Sequence, residues 1–126
     1  MICVIDANAA AEIVLERDAA VDLINRIFAA EKVIAPSLFC AEIANTFRKY
    51  VQGGYFDAER GADLYREAIR VVDEFVDVAQ LSEEAFFEAL RHKHSAYDMF
   101  YFVLARRNGA KLLTCDKKLQ ELYEAI

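Results

Sequence analysis

The chain has 126 residues, 56% of them hydrophobic, with one Pro and four Gly, a composition that builds regular, tightly packed structure in a single domain, 1–126. Its net charge of −6 and pI of about 4.9 exclude a broadly basic surface, so any contact with phosphate falls to local clusters of cations. No apolar run approaches the roughly 18 to 20 residues of a membrane helix, and no basic segment precedes ICVID, so a cytoplasmic chain without membrane contact is expected.

In chain order, residues 2–5 form a short apolar, β-branched run of the kind a buried parallel strand shows, and the next such run is 32–35. A helix is predicted from about 37 to 52, ending at Gly53-Gly54. In 57–73, Ala58, Ala62, Tyr65, Ala68, Ile69 and Val72 recur at helical spacing, with Arg60, Asp63, Glu67 and Arg70 opposite. Residues 76–79 are a weaker strand candidate, because Asp77 interrupts them. A helix over about 96–107 runs into Arg106, Arg107 and an Asn108-Gly109 stop, and 111–115 is the last strand. The remaining gaps read as helical. Strands separated by helices pair in parallel through right-handed crossovers, so the predicted class is α/β, a three-layer α/β/α sandwich with a central parallel sheet of four to five strands.

Three nearly uncharged stretches each hold one carboxylate: Asp6 in MICVIDANAAA, Glu42 in VIAPSLFCAEIANTF and Asp98 in SAYDMFYFVLA. A fourth acid, Asp116, ends the apolar run LLTC. A lone buried carboxylate costs several kcal/mol. No Lys or Arg shares those stretches, so four converging acids would have a divalent cation as their natural partner. Asp6 and Asp116 follow the first and last strands, at the carboxyl ends where open α/β sheets bind ligands. Each also suits an N-cap, and Asp98 could close a cap with Ser95. Glu42 lies beyond the first turn of its helix if Ser37 is the cap, where capping explains it poorly. One shared site accounts for all four more economically than separate caps.

Other chemistries lack their residues. The chain has neither GxxxxGK[ST] nor GxGxxG, no Ser in a nucleophile elbow, and no second carboxylate in Asp6-Ala7-Asn8 of the kind an aspartyl phosphatase needs. Cys3, Cys40 and Cys115 are odd in number and far apart, and read as buried free thiols. His92 and His94 would diverge on a helix with no other Cys or His nearby, so they are read as lying outside any metal site. What remains is metal-assisted hydrolysis of a phosphodiester by carboxylate-bound Mg²⁺ or Mn²⁺.

Four segments carry a resemblance: Val4-Ile5-Asp6-Ala7-Asn8; Pro36 followed by Ala41-Glu42-Ile43-Ala44-Asn45; Ala96-Tyr97-Asp98 with Leu104-Ala105; and Leu112-Leu113-Thr114-Cys115-Asp116. In order and spacing they resemble the motifs of PIN-domain ribonucleases, specifically the VapC-type toxins of type II toxin–antitoxin systems. The resemblance implies a PIN fold and Mg²⁺- or Mn²⁺-dependent endoribonuclease activity on RNA such as tRNA or rRNA. It also implies homodimers and a small antitoxin partner. It makes Asp6, Glu42, Asp98 and Asp116 the catalytic, metal-holding quartet, with Asn8 and Thr114 as supporting residues. An antitoxin that silences such a site is expected to present a basic C-terminal segment. Arg48-Lys49, Arg106-Arg107 and Lys117-Lys118 are candidate phosphate contacts or ordinary helix ends. Alternatives are a housekeeping RNA-processing nuclease, a receiver-like Mg²⁺-binding signalling module, and a protein-binding subunit using Tyr97, Phe100, Tyr101 and Phe102.

Overall fold

The computed structural model describes all 126 residues. Strands β1 (Ile2–Ile5), β2 (Lys32–Pro36), β3 (Glu74–Val76) and β4 (Lys111–Leu113) form one sheet in the order β3-β2-β1-β4, with every pair parallel. Helices α1 (Ala7–Val14), α2 (Ala20–Ala29), α3 (Leu38–Gln52), α4 (Ala58–Arg70), α5 (Ser82–His92), α6 (Ala96–Arg107) and α7 (Lys117–Glu124) flank it. The α/β class and the parallel four-stranded sheet are as expected.

The central strands are apolar on both faces because helices cover both. Val4, Ile5, Val33, Ile34, Leu112 and Leu113 are all buried. Helix α6 is the most enclosed, with Met99, Tyr101, Phe102, Val103, Leu104 and Ala105 inside the core. Its uniform apolarity, which left the aromatic run open to an interface reading, is that of a helix packed on β1 and β2. Tyr97 alone of the four aromatics named for a protein-binding face is well exposed, so core packing takes Tyr101 and Phe102.

Two boundaries differ from expectation. The third strand lies at 74–76, before the predicted 76–79, because the Asp77 carboxylate accepts a hydrogen bond from the Ala79 N–H at 3.0 Å and turns Val78–Gln80 into a 3-10 segment. The last strand stops at Leu113, two residues early, because the Thr114 side chain accepts the Asp116 N–H at 3.0 Å and bends the chain away. Ser37 stands at the start of α3 yet its hydroxyl accepts from Val78 N–H at 3.1 Å, tying α3 to the end of β3 instead of capping its own helix. All three cysteines are free, but only Cys3 is buried; Cys40 is half-buried and Cys115 exposed, because Cys115 has left the strand.

Candidate active site

Register brings the strand ends that carry Asp6 and Asp116 side by side. β1 and β4 are neighbours with Ile5 opposite Leu113, and the Asp6 N–H continues the ladder to the Leu113 carbonyl at 3.1 Å. The next residue on β4 is Thr114, whose hydroxyl donates to Asp6 Oδ2. Both acids also cap helices: Asp6 Oδ1 accepts from Ala9 N–H at 2.9 Å, and Asp116 Oδ1 from Leu119 N–H at 3.1 Å. Capping and site placement, set against each other in the sequence, coexist here because each cap uses one carboxylate oxygen.

Asp98 stands in the first turn of α6 and is not a cap. Ser95 takes that place, accepting from Tyr97 N–H at 3.2 Å, while Asp98 Oδ2 meets His94 Nε2 at 2.7 Å. One turn further along the same face, the buried Tyr101 donates its hydroxyl to Glu42 Oε1 at 2.6 Å. Glu42 thus reaches the site from the second turn of α3, half-buried, with a partner that no local pattern announces. The ligand atoms of His94, Asp98 and Asp116 lie within 4.8 Å of one another. Asn8 sits exposed at the start of α1, lining a cleft of about 440 Å³ with Glu12, Arg17, Thr46, Tyr50, Cys115 and Asp116.

Electrostatics couple Asp6, Glu42 and Asp98, and Asp116 joins them through its proximity to Asp98. Burial pushes the Asp6 carboxyl up to about 6, against the opposing bonds from Thr114 and Ala9, and the Asp98 and Glu42 charges push the same way. Burial likewise raises Glu42, with Tyr101 opposing and Asp98 adding to the rise. Tyr101 is raised as well, by burial and then by the charge of Glu42, so it stays a protonated donor. Among the twelve ion pairs of the molecule no Lys or Arg reaches Asp6, Glu42, Asp98 or Asp116; His94 alone faces one of them. A set of oxygen donors that repel one another with no cationic side chain among them fits a divalent cation.

Two participants escaped the sequence reading. Tyr101 was read only as part of an aromatic run suited to an interface, although its spacing of three from Asp98 on a helix placed it on the acid's face. His94 was read as outside any metal site. Only His92 is helical, and it turns to Glu88 at 3.0 Å, whereas His94 lies past the helix end. The basic pairs also separate. Arg106 and Arg107 are tied to Glu84 at 2.6 and 3.1 Å, and Arg48 to Asn45 at 3.0 Å, while Lys117 and Lys118 are exposed without an ion partner beside Asp116.

Ribonuclease VapC3 of Pyrobaculum aerophilum is 27% identical over 129 residues, covering 98% of this chain and 95% of that protein. The crystal structure of PAE2754 from Pyrobaculum aerophilum superposes with a TM-score of 0.74 at 20% identity, covering 93% of this chain and 76% of that one, a likeness of fold. A PIN domain family model matches residues 3–125, which displaces the receiver-like alternative. With that match spanning nearly the whole sequence, and the sheet order that sets Asp6 beside Thr114 at the strand ends, the chain belongs to the PIN domain family.

Proposed function

We propose that this protein is a divalent-metal-dependent endoribonuclease and the toxin of a toxin–antitoxin pair, acting on cellular RNA such as tRNA or rRNA. The observation that carries the reading is the gathering of four carboxylates, none of them ion-paired to Lys or Arg, around the carboxyl ends of the central strands. The similarity to a protein named as a ribonuclease supports the choice of RNA.

In this reading Asp6, Asp98 and Asp116 hold Mg²⁺ or Mn²⁺, and Glu42 ligates a second ion or orients water. When bound, such an ion lowers the pKa of water and offsets charge at phosphorus. Thr114 holds Asp6 Oδ2, and Tyr101 holds Glu42 Oε1, so both carboxylates present their remaining lone pairs in fixed directions. Asn8 and Lys117-Lys118 border the approach of the RNA strand. Hydrolysis would leave 5′-phosphate and 3′-hydroxyl ends.

Partners follow from the same chemistry. An antitoxin with a basic C-terminal segment would place Arg or Lys among the four acids in the cation's stead. A homodimer and a cytoplasmic location complete the proposal; no helix is long and apolar enough to cross a membrane.

Asp98→Asn is the direct test. Asn retains a hydrogen bond to His94 but supplies one formal charge fewer, so metal-dependent RNA cleavage should vanish while urea melts of the metal-free protein stay within about 1 kcal/mol of wild type. Retained cleavage with an unchanged metal requirement would overturn the assignment. Expression of the wild-type chain alone should slow growth, and expression of Asp98→Asn should not; a harmless, active wild type would point to housekeeping RNA processing instead.

A further inference from the structure

We infer that His94 is a nitrogen ligand of the cation held by Asp98 and Asp116, so that this centre favours first-row transition ions such as Mn²⁺ over Mg²⁺. The inference rests on the reading above that the acids hold a divalent ion, and it adds a donor of a different chemical kind.

The backbone aims His94 at the site. Helix α5 ends at Lys93 in the left-handed conformation, φ 52° and ψ 48°, and the His94 N–H closes back onto the Ala89 carbonyl at 3.1 Å. A left-handed lysine costs about 1 to 2 kcal/mol that glycine would not incur. The turn reverses the chain in one residue, and His94 lands against the first turn of α6, where Asp98 stands.

The side chain is then nearly enclosed. It is 9% exposed, and its Nε2 lies 2.7 Å from Asp98 Oδ2. One ring nitrogen of His94 and one carboxylate oxygen each of Asp98 and Asp116 fall within 4.8 Å of one another. Two ligands of one ion, each about 2.0 to 2.2 Å from it, sit at most about 4.4 Å apart. Small side-chain rotations therefore bring all three donors onto one centre, with the Nε2–H of the metal-free state given up and the ring proton carried on Nδ1.

A bond that merely steadies Asp98 is the competing account, and the other histidine shows what a structural role looks like. His92 meets a carboxylate, Glu88, that Arg106 at 3.3 Å and Arg91 at 3.7 Å already neutralise, and its ring lies 5.5 Å from that of Phe102. Asp98 has no such cation, so His94 faces a carboxylate still short of positive charge. Imidazole suits Fe²⁺ and Zn²⁺, and Mn²⁺, although chiefly an oxygen binder, accepts a nitrogen donor more readily than Mg²⁺, which prefers oxygen and retains its waters.

The test is pulsed electron paramagnetic resonance of Mn²⁺ bound to the whole protein, paired with calorimetric titration of Mn²⁺ and Mg²⁺. With two histidines in the chain, an imidazole nitrogen coupling is simple to assign. Wild type and His92→Phe should show it. His94→Gln, whose amide still reaches Asp98, should lose it and should lose about tenfold or more in Mn²⁺ affinity, with Mg²⁺ affinity changed less than about threefold. Mn²⁺ binding without nitrogen coupling in wild type, or equal losses for both ions in His94→Gln, makes His94 a hydrogen-bond partner only and overturns the inference while leaving the nuclease reading intact. Absence of binding of either ion to wild type overturns both. The wild-type spectrum decides the matter even where His94→Gln fails to fold.

Discussion

Asp6 shows how one residue serves two ends. One oxygen caps α1 and the other meets Thr114, so the side chain is immobilised, yet it is buried among like charges with its carboxyl raised from 3.8 to about 6. An acid raised in the folded state favours folding when protonated. That contribution is complete below the unfolded value and is lost as pH rises through about 6, and Glu42 shifts in the same direction. At about 1.4 kcal/mol per pK unit, Asp6 leaves the metal-free protein less stable at neutral pH by on the order of 3 kcal/mol. Melts in EDTA should therefore show a higher Tm at pH 5 than at pH 7.5, and saturating Mg²⁺ should narrow that gap by stabilising the charged cluster. A Tm that climbs from pH 5 to 7.5 without metal would contradict the burial argument.

At the scale of elements, α7 carries its cations at the wrong end for stability. Lys117 and Lys118 occupy its first turn, where the helix dipole is positive, and neither has an ion partner. A double Lys117→Ala, Lys118→Ala variant should be as stable as wild type or a few tenths of a kcal/mol more so. In an Asp98→Asn background its RNA affinity should fall, and the salt slope should shrink by about 0.7 per lysine. An unchanged slope would place the RNA elsewhere. The α3–α4 pair poses a packing question instead. A Cβ at Gly61 would clash with Val51 Cγ2, and Val51 has few rotamers to escape into. Gly61→Ala should destabilise the protein by about 1 to 3 kcal/mol in urea despite the better helix propensity of Ala.

The whole molecule has an asymmetric α5. Its inner side is locked to α6 through buried Glu88 and Arg106, while Phe86, Phe87 and Leu90 on the outer side are each more than half exposed. Clustered aromatics of this kind favour an interface. Light scattering should find a homodimer, and Phe87→Glu should yield a monomer that retains its metal-free Tm. A wild-type monomer at tens of micromolar would remove α5 as the dimer face.

Much was legible before folding. Apolar runs bounded by helical periodicity announced the α/β class, because a strand buried on both faces has no room for polar residues. The four acids stood out for a related reason, since a carboxylate among apolar neighbours advertises a desolvation penalty that something must offset. Less legible was β3, where Asp77 traded a strand residue for a local cap, and the fate of the arginines, which depended on whether Glu84 lay within reach. Convergence itself belonged to tertiary structure: Asp6 and Asp116 share Thr114 because β4 pairs with β1 across more than a hundred residues, and Glu42 is oriented by a tyrosine from another helix. His94 is the clearest case. Local sequence sets which residues avoid water, but the left-handed turn at Lys93, adopted by a residue type that rarely takes it, decided where the imidazole points.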